Sequence, residues 1–168
     1  MDIKILDFPN KKYICKKYNG DNQSPVVSWN KIISAKSYAL IMEDPDAVGG
    51  NFIHWYIPYI SKNINKIESL CFINNYKNNL KLDIDLNKLS VFFGKNSLDK
   101  YGYTGPCPPI GTGLHRYIFT IYALDNILHI DEKNIKISSS KDFENILKKN
   151  FIKYIDISKI IHKYEYAV

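Results

Sequence analysis

A chain of 168 residues fits one domain and leaves no room for a multidomain machine; 45% hydrophobic and 24% charged residues exclude intrinsic disorder. The formal charge is +6, from 23 Lys plus Arg against 17 Asp plus Glu, yet Arg116 is the only arginine. Scattered lysines without arginine forks read as a compositional bias, so no specific nucleic-acid partner is expected.

Strand-like runs dominate in chain order. Ile3 to Phe8 and Val26 to Trp29 come first, then Ser37 to Met42, apolar enough for a buried strand. Ile53 to Ile60, broken by Pro58, and Arg116 to Leu124 follow, the latter apolar or aromatic on both faces and therefore central. Asn74 to Lys88, dense in Asn, Lys and Asp, suggests a solvated loop or edge strand. After the candidate N-caps Ser139 and Ser140, the residues Phe143, Ile146, Leu147, Phe151 and Ile155 recur at three- and four-residue spacing and predict a helix. A last strand is expected over Ile160 to Tyr166. The fold should be mostly β, one domain over 1–168.

Cys15, Cys71 and Cys107 are odd in number and lack CxxC or Cys/His spacing, so neither a disulfide framework nor a zinc site is expected. No signal pattern or continuous apolar span is evident, and the expectation is a soluble, cytoplasmic protein in a reducing compartment.

Chemistry concentrates in two places. Gly102 to Gly113 holds four of the eight glycines and three of the seven prolines and runs into His115-Arg116-Tyr117. A loop so composed is preshaped, its prolines fixing φ and its glycines letting backbone N–H groups approach a ligand, though an ordinary β connection can have the same composition. Strand alternation puts His115 and Tyr117 on one face and Arg116 on the other. Arg116 is therefore expected to be structural, a planar fork tying a loop carboxylate or carbonyls behind the site. The second concentration is Glu43-Asp44-Pro45-Asp46, followed by His54-Trp55. Asp-Pro-Asp alone is a turn signal; with two histidines at neighbouring strand ends it becomes a candidate convergent site.

The segments Ser24-Pro-Val-Val-Ser-Trp29, Tyr38-Ala-Leu-Ile-Met-Glu-Asp-Pro-Asp-Ala47, His54-Trp55 and Gly105-Pro-Cys-Pro-Pro-Ile-Gly-Thr-Gly-Leu-His-Arg-Tyr117 resemble the phosphatidylethanolamine-binding protein family, which includes the Raf kinase inhibitor proteins. The resemblance covers most of the chain in order. It implies a Greek-key antiparallel β-sandwich with one or two short flanking helices and a small pocket for phospholipid headgroups or phosphate-containing anions. Carried over, Asp44, Asp46 and His54, the loop residues Gly105, Pro108 and Pro109, and His115, Tyr117 and Tyr164 match the family's pocket residues. Two departures stand out: Val48-Gly49-Gly50 replaces the usual proline after Asp-Pro-Asp-Ala, and the chain ends soon after its last strand, so the extended C-terminal helix of animal members is expected to be missing.

The expected activity is binding, with no cofactor, no resident metal and no catalysis. A kinase or protease partner and peripheral membrane contact are family-level expectations. Asp44 or Asp46 is expected to orient and charge His54 or His115 for anion binding. A metal-dependent phosphoester hydrolase built on the Asp/His cluster is the alternative, disfavoured by the lack of an HExxH pair, a nucleophile elbow or a Walker loop.

Overall fold

The computed structural model describes residues 1–6, 8, 11–13, 24–69 and 90–166, with backbone alone at 11–13 and 164–166. The 74–88 stretch, Cys15 and Cys71 lie outside the described residues. Among the described residues, nine strands and one helix follow one another as β1 (Ile3–Leu6), β2 (Lys11–Tyr13), β3 (Val26–Trp29), β4 (Ser37–Asp44), β5 (Phe52–Ser61), β6 (Lys66–Ile67), β7 (Val91–Phe92), β8 (His115–Leu124), α1 (Ser140–Lys149) and β9 (Tyr154–Tyr166). They form a three-stranded sheet, β1-β3-β6, and a six-stranded sheet, β2-β9-β8-β4-β5-β7. Within the larger sheet, β4, β5 and β7 run as neighbours and β8 returns beside β4, which is the Greek-key order. Pairing is antiparallel except for β2 on β9, which is parallel.

Two apolar layers hold the sandwich. Tyr38, Leu40, Met42, Trp55, Phe119 and Ile121 point between the sheets with Val27 and Trp29. Ala39, Ile41, Tyr56 and Tyr122 point the other way, onto Phe143 and Leu147 of α1. β4 is buried along its whole length because both of its faces carry a layer. That is why its sequence shows no alternation.

β5 switches faces twice. Across from it, Met42 pairs with Trp55 while Glu43 pairs with Ile53, leaving His54 as the extra residue of a β-bulge. A second irregularity falls between Tyr38 and Leu40, opposite the Pro58-Tyr59 stretch, where a missing N–H can be tolerated. As a result Ile53 and Trp55, two apart, serve opposite layers.

Alternation at the end of β4 separates Glu43 from Asp44. Glu43 turns toward α1 and accepts from Ser140 N at 3.0 Å, Ser140 Oγ at 2.5 Å and Asn51 Nδ2 at 3.0 Å. A buried carboxylate thus serves the free donors at the helix N-terminus. Ser139 is the N-cap, accepting from Asp142 N at 3.1 Å.

The helix is shorter than its spacing predicts. Phe151 adopts φ 56° with 92% of its surface exposed, and Ile152 N reaches back to Leu147 O at 2.9 Å. This left-handed residue after Asn150 ends the helix, Ile152 takes the buried slot, and Ile155 belongs to β9. β9 accordingly starts at Tyr154, six residues before the expected Ile160. The short strands β2, β6 and β7 carry too few residues for a periodic signal. No helix among the described residues is long and apolar enough to cross a membrane.

Gly94 shows how tightly the second layer packs. A methyl there would lie 2.8 Å from the Ile135 carbonyl oxygen and inside the Tyr56 ring. Neither side can retreat, since Gly94 N donates to Tyr56 O at 2.9 Å and Lys95 N to Ile135 O at 2.8 Å. Gly94→Ala is expected to destabilise by about 1–3 kcal/mol, at the upper end of ordinary overpacking. Urea unfolding checks it; a midpoint equal to wild type would show that the strand can shift.

Candidate functional site

The C-terminal end of β4 and the N-terminal end of β8 lie side by side, and two aspartates stitch them together. Asp44 is buried; its Oδ1 accepts from Asp46 N at 2.9 Å, the turn bond expected of Asp-Pro-Asp. Its Oδ2 lies 2.7 Å from His115 Nδ1, with 4% and 2% of the two side chains exposed. Asp46 takes the next residue: Arg116 donates to it from the backbone N at 2.9 Å and from Nε and Nη2 at 2.7 Å each. Hydrogen bonds from the guanidinium, helped by the backbone N–H and its charge, hold the Asp46 carboxyl at about 2 and raise Arg116 further.

The loop carboxylate expected behind Arg116 and the second aspartate expected in the pocket are therefore one residue. Both Asp46 oxygens are committed to Arg116, so Asp46 shapes the turn and fixes the start of β8.

His54, set by its bulge, faces the same side as Tyr117. The rings meet edge-on at 5.2 Å, and His115 stacks on Tyr117 at 6.5 Å with 19° between planes. Of the two histidines named as alternative donors, His54 is the one whose charge burial opposes. Burial drives its pKa down to about 4, and its Nδ1 donates to Thr104 O at 2.7 Å. Thr104 N in turn donates to His54 O at 2.8 Å. The neutral imidazole is a clamp on the strand side of the proline-rich loop. Asn96, fully buried, supports the same segment, donating to Thr104 Oγ1 at 2.8 Å and Gly102 O at 3.3 Å.

Of the loop residues, Pro108 is buried and Pro109 exposed. Pro109 offers its carbonyl to Thr112, from N at 3.2 Å and from Oγ1 at 2.7 Å. Thr112 Oγ1 also lies 2.9 Å from His115 Nε2. A hydroxyl has one hydrogen, and a carbonyl can only accept it, so Nε2 is the donor to Thr112. Nδ1 faces the Asp44 carboxyl, so both ring nitrogens of His115 are engaged, one by Asp44 and the other by Thr112. Asp44 thus orients His115, and His54 lies outside that pair.

Cys107 is disulfide-bonded, with its partner outside the described residues. This corrects the expectation of no disulfide: an odd cysteine count does not prevent one pair from forming. Gly49 and Gly50 take φ 95° and 116° after Val48, and no cis peptide occurs among the described residues. Gly105 lies on the loop between the Thr104 clamp and Cys107. Tyr164 pairs with His115 across β9, its side chain outside the described residues.

The structure therefore gathers Asp44, His115, Tyr117, His54 and Pro109 at one pole, with Asp46 and Arg116 bracing them. Thr112, Thr104 and Asn96 were not anticipated. Thr112 lies between two glycines in the loop before the His-Arg-Tyr run, where the sequence marks the loop and not the residue. Among the described residues no group of three His, Cys, Asp or Glu side chains could hold a metal.

A family model for phosphatidylethanolamine-binding protein matches residues 4–158. A UPF0098 protein of Pyrococcus horikoshii is 30% identical over 159 residues, spanning 92% of this chain and 73% of the relative. A UPF0098 protein of Methanothermobacter thermautotrophicus is 37% identical over 134 residues, spanning 78% and 81%. The crystal structure of a phosphatidylethanolamine-binding protein homolog from Chlamydia trachomatis aligns with TM-score 0.67 at 27% identity, covering 98% and 96% of the two chains. YbcL of Escherichia coli shares the fold, with TM-score 0.71 at 21% identity over 98% and 97%. A match along nearly the whole length, on a Greek-key sandwich with an aspartate–histidine pole, places this chain in the phosphatidylethanolamine-binding protein family.

Proposed function

We propose that the protein binds the phosphate group of a small phosphorylated ligand, such as a phospholipid headgroup, at His115. The buried Asp44–His115 pair, 2.7 Å apart, carries this reading. A carboxylate on one ring nitrogen leaves the other as a charged, preoriented donor, and charge-assisted bonds to phosphate oxygens are the strong kind. N–H groups of the glycine-rich loop beside it suit the same anion. Acceptance of a headgroup ammonium by the aspartates finds less support, because both Asp46 oxygens already serve Arg116 and both Asp44 oxygens have partners.

Titration calorimetry with inorganic phosphate and with phosphoethanolamine tests this. His115→Gln is expected to weaken phosphate binding about 10- to 100-fold, the loss of one charged hydrogen bond. Equal affinity in the variant would refute the assignment. A preference for phosphoethanolamine over phosphate would identify the headgroup as the better ligand; equal binding would point to the phosphate alone.

A further inference from the structure

We infer that the Thr112 hydroxyl is a stand-in for the ligand's oxygen, a latch that occupies His115 Nε2 until an anion displaces it. The inference rests on the phosphate reading above and names the residue that sets its selectivity.

The geometry of the latch is closed. Thr112 Oγ1 accepts from Nε2 at 2.9 Å and donates to Pro109 O at 2.7 Å, and its own N–H returns to the same carbonyl at 3.2 Å. The Asp44 carboxylate holds Nδ1, so Nε2 is the ring's remaining donor, and a ligand oxygen can reach it only by taking the place of Oγ1.

The loop is built to allow that exchange in one half and not the other. Its first half is pinned: the His54–Thr104 clamp, Pro106, the Cys107 disulfide and Pro108 leave little freedom. Its second half is exposed at Ile110, Gly111 and Thr112. Gly111 and Gly113 flank the latch at φ 81° and 80°, and a Cβ at either would meet nothing within 4 Å. Two glycines in open space on either side of one residue form a local hinge. Thr112 can swing without disturbing β8.

Selectivity follows from what is exchanged. A neutral ligand hydroxyl would replace one neutral acceptor with another and gain nothing at Nε2. An anionic oxygen brings its own charge to that bond and strengthens it. The latch thus discriminates against uncharged oxygen ligands and favours oxyanions, with a phosphate monoester the class of best fit.

Thr112→Val keeps the shape and removes the acceptor; Thr112→Ser keeps the hydroxyl. Titration calorimetry with inorganic phosphate is run on wild type, both variants and His115→Gln, alongside ¹⁵N NMR of the His115 ring. Thr112→Val is expected to bind phosphate about 2- to 10-fold more tightly, the release of one hydrogen bond to a neutral acceptor. Thr112→Ser should match wild type. The His115 Nε2 resonance of ligand-free wild type should move on phosphate addition and on Thr112→Val, but not on Thr112→Ser. If wild type binds phosphate through His115 and Thr112→Val binds equally or more weakly, the latch is wrong and the phosphate reading stands. If neither wild type nor Thr112→Val binds phosphate, both are wrong.

Discussion

Asp44→Ala is expected to cost about 3–5 kcal/mol of stability and to abolish phosphate binding at His115. The first effect comes from what is left behind. The buried His115 ring loses its carboxylate partner, and removing one member of a buried pair costs that much because the other stays buried and uncompensated. The Asp46 N–H loses its acceptor as well, so the turn that presents Asp46 to Arg116 loosens. Against a total of about 5–15 kcal/mol for a domain, the loss is a large fraction. Asp44→Asn separates the two roles: its amide oxygen can still accept from Asp46 N, so the turn survives while the carboxylate charge beside His115 does not. It should fall between wild type and alanine in urea unfolding while losing phosphate binding as completely as alanine. A loss below about 1 kcal/mol for Asp44→Ala would show that the pair is not the organising element.

Acid should unfold the protein partly through His54. Its pKa lies at about 4 in the folded protein against an ordinary 6.5, because burial disfavours the charged ring. Above 6.5 the ring is neutral folded or unfolded, and its contribution is fully present. As pH falls from 6.5 toward 4, the unfolded chain takes up a proton that the folded protein refuses, so stability is lost by about 3 kcal/mol over that window. His54→Gln removes the titration while keeping a donor for the Thr104 carbonyl. Urea midpoints between pH 7 and pH 4 should therefore fall more steeply for wild type than for the variant, by about 3 kcal/mol in total. Parallel profiles would mean that His54 accepts its proton without leaving its place. Asp46 acts at lower pH by a related route: held at about 2 by Arg116, it keeps its bonds as pH falls through the ordinary carboxylate range and releases them only near that value.

The sequence made the scaffold legible wherever burial on both faces produced an unbroken apolar run, as in β4 and β8. The common face of His115 and Tyr117 followed from alternation, and β8 is regular from His115 to Ala123, so the rule held. The rule gave nothing for β5. Apolar residues on both faces hid the bulge, and no count of positions could say where His54 points. The helix end was hidden for a different reason, since Phe151 continues the apolar spacing yet sits in a left-handed conformation usually given to glycine or asparagine. Asp46 and Arg116 were each noticed, but their partnership depends on the register of β4 against β8, which is a tertiary fact. Thr112 lay in plain view inside the loop, and threonine between glycines reads as turn filler until its hydroxyl is seen against the imidazole.

The position of His54 also separates site from scaffold. Being surplus to the ladder between Ile53 and Trp55, it could be deleted outright: Ile53 and Trp55 would become consecutive across from Glu43 and Met42, each still facing its own layer. The ladder closes without the histidine, which is extra length in the strand and not one of its paired residues. A pocket assembled this way can gain or lose an arm through a single-residue insertion or deletion, leaving the hydrophobic pattern that specifies the fold untouched.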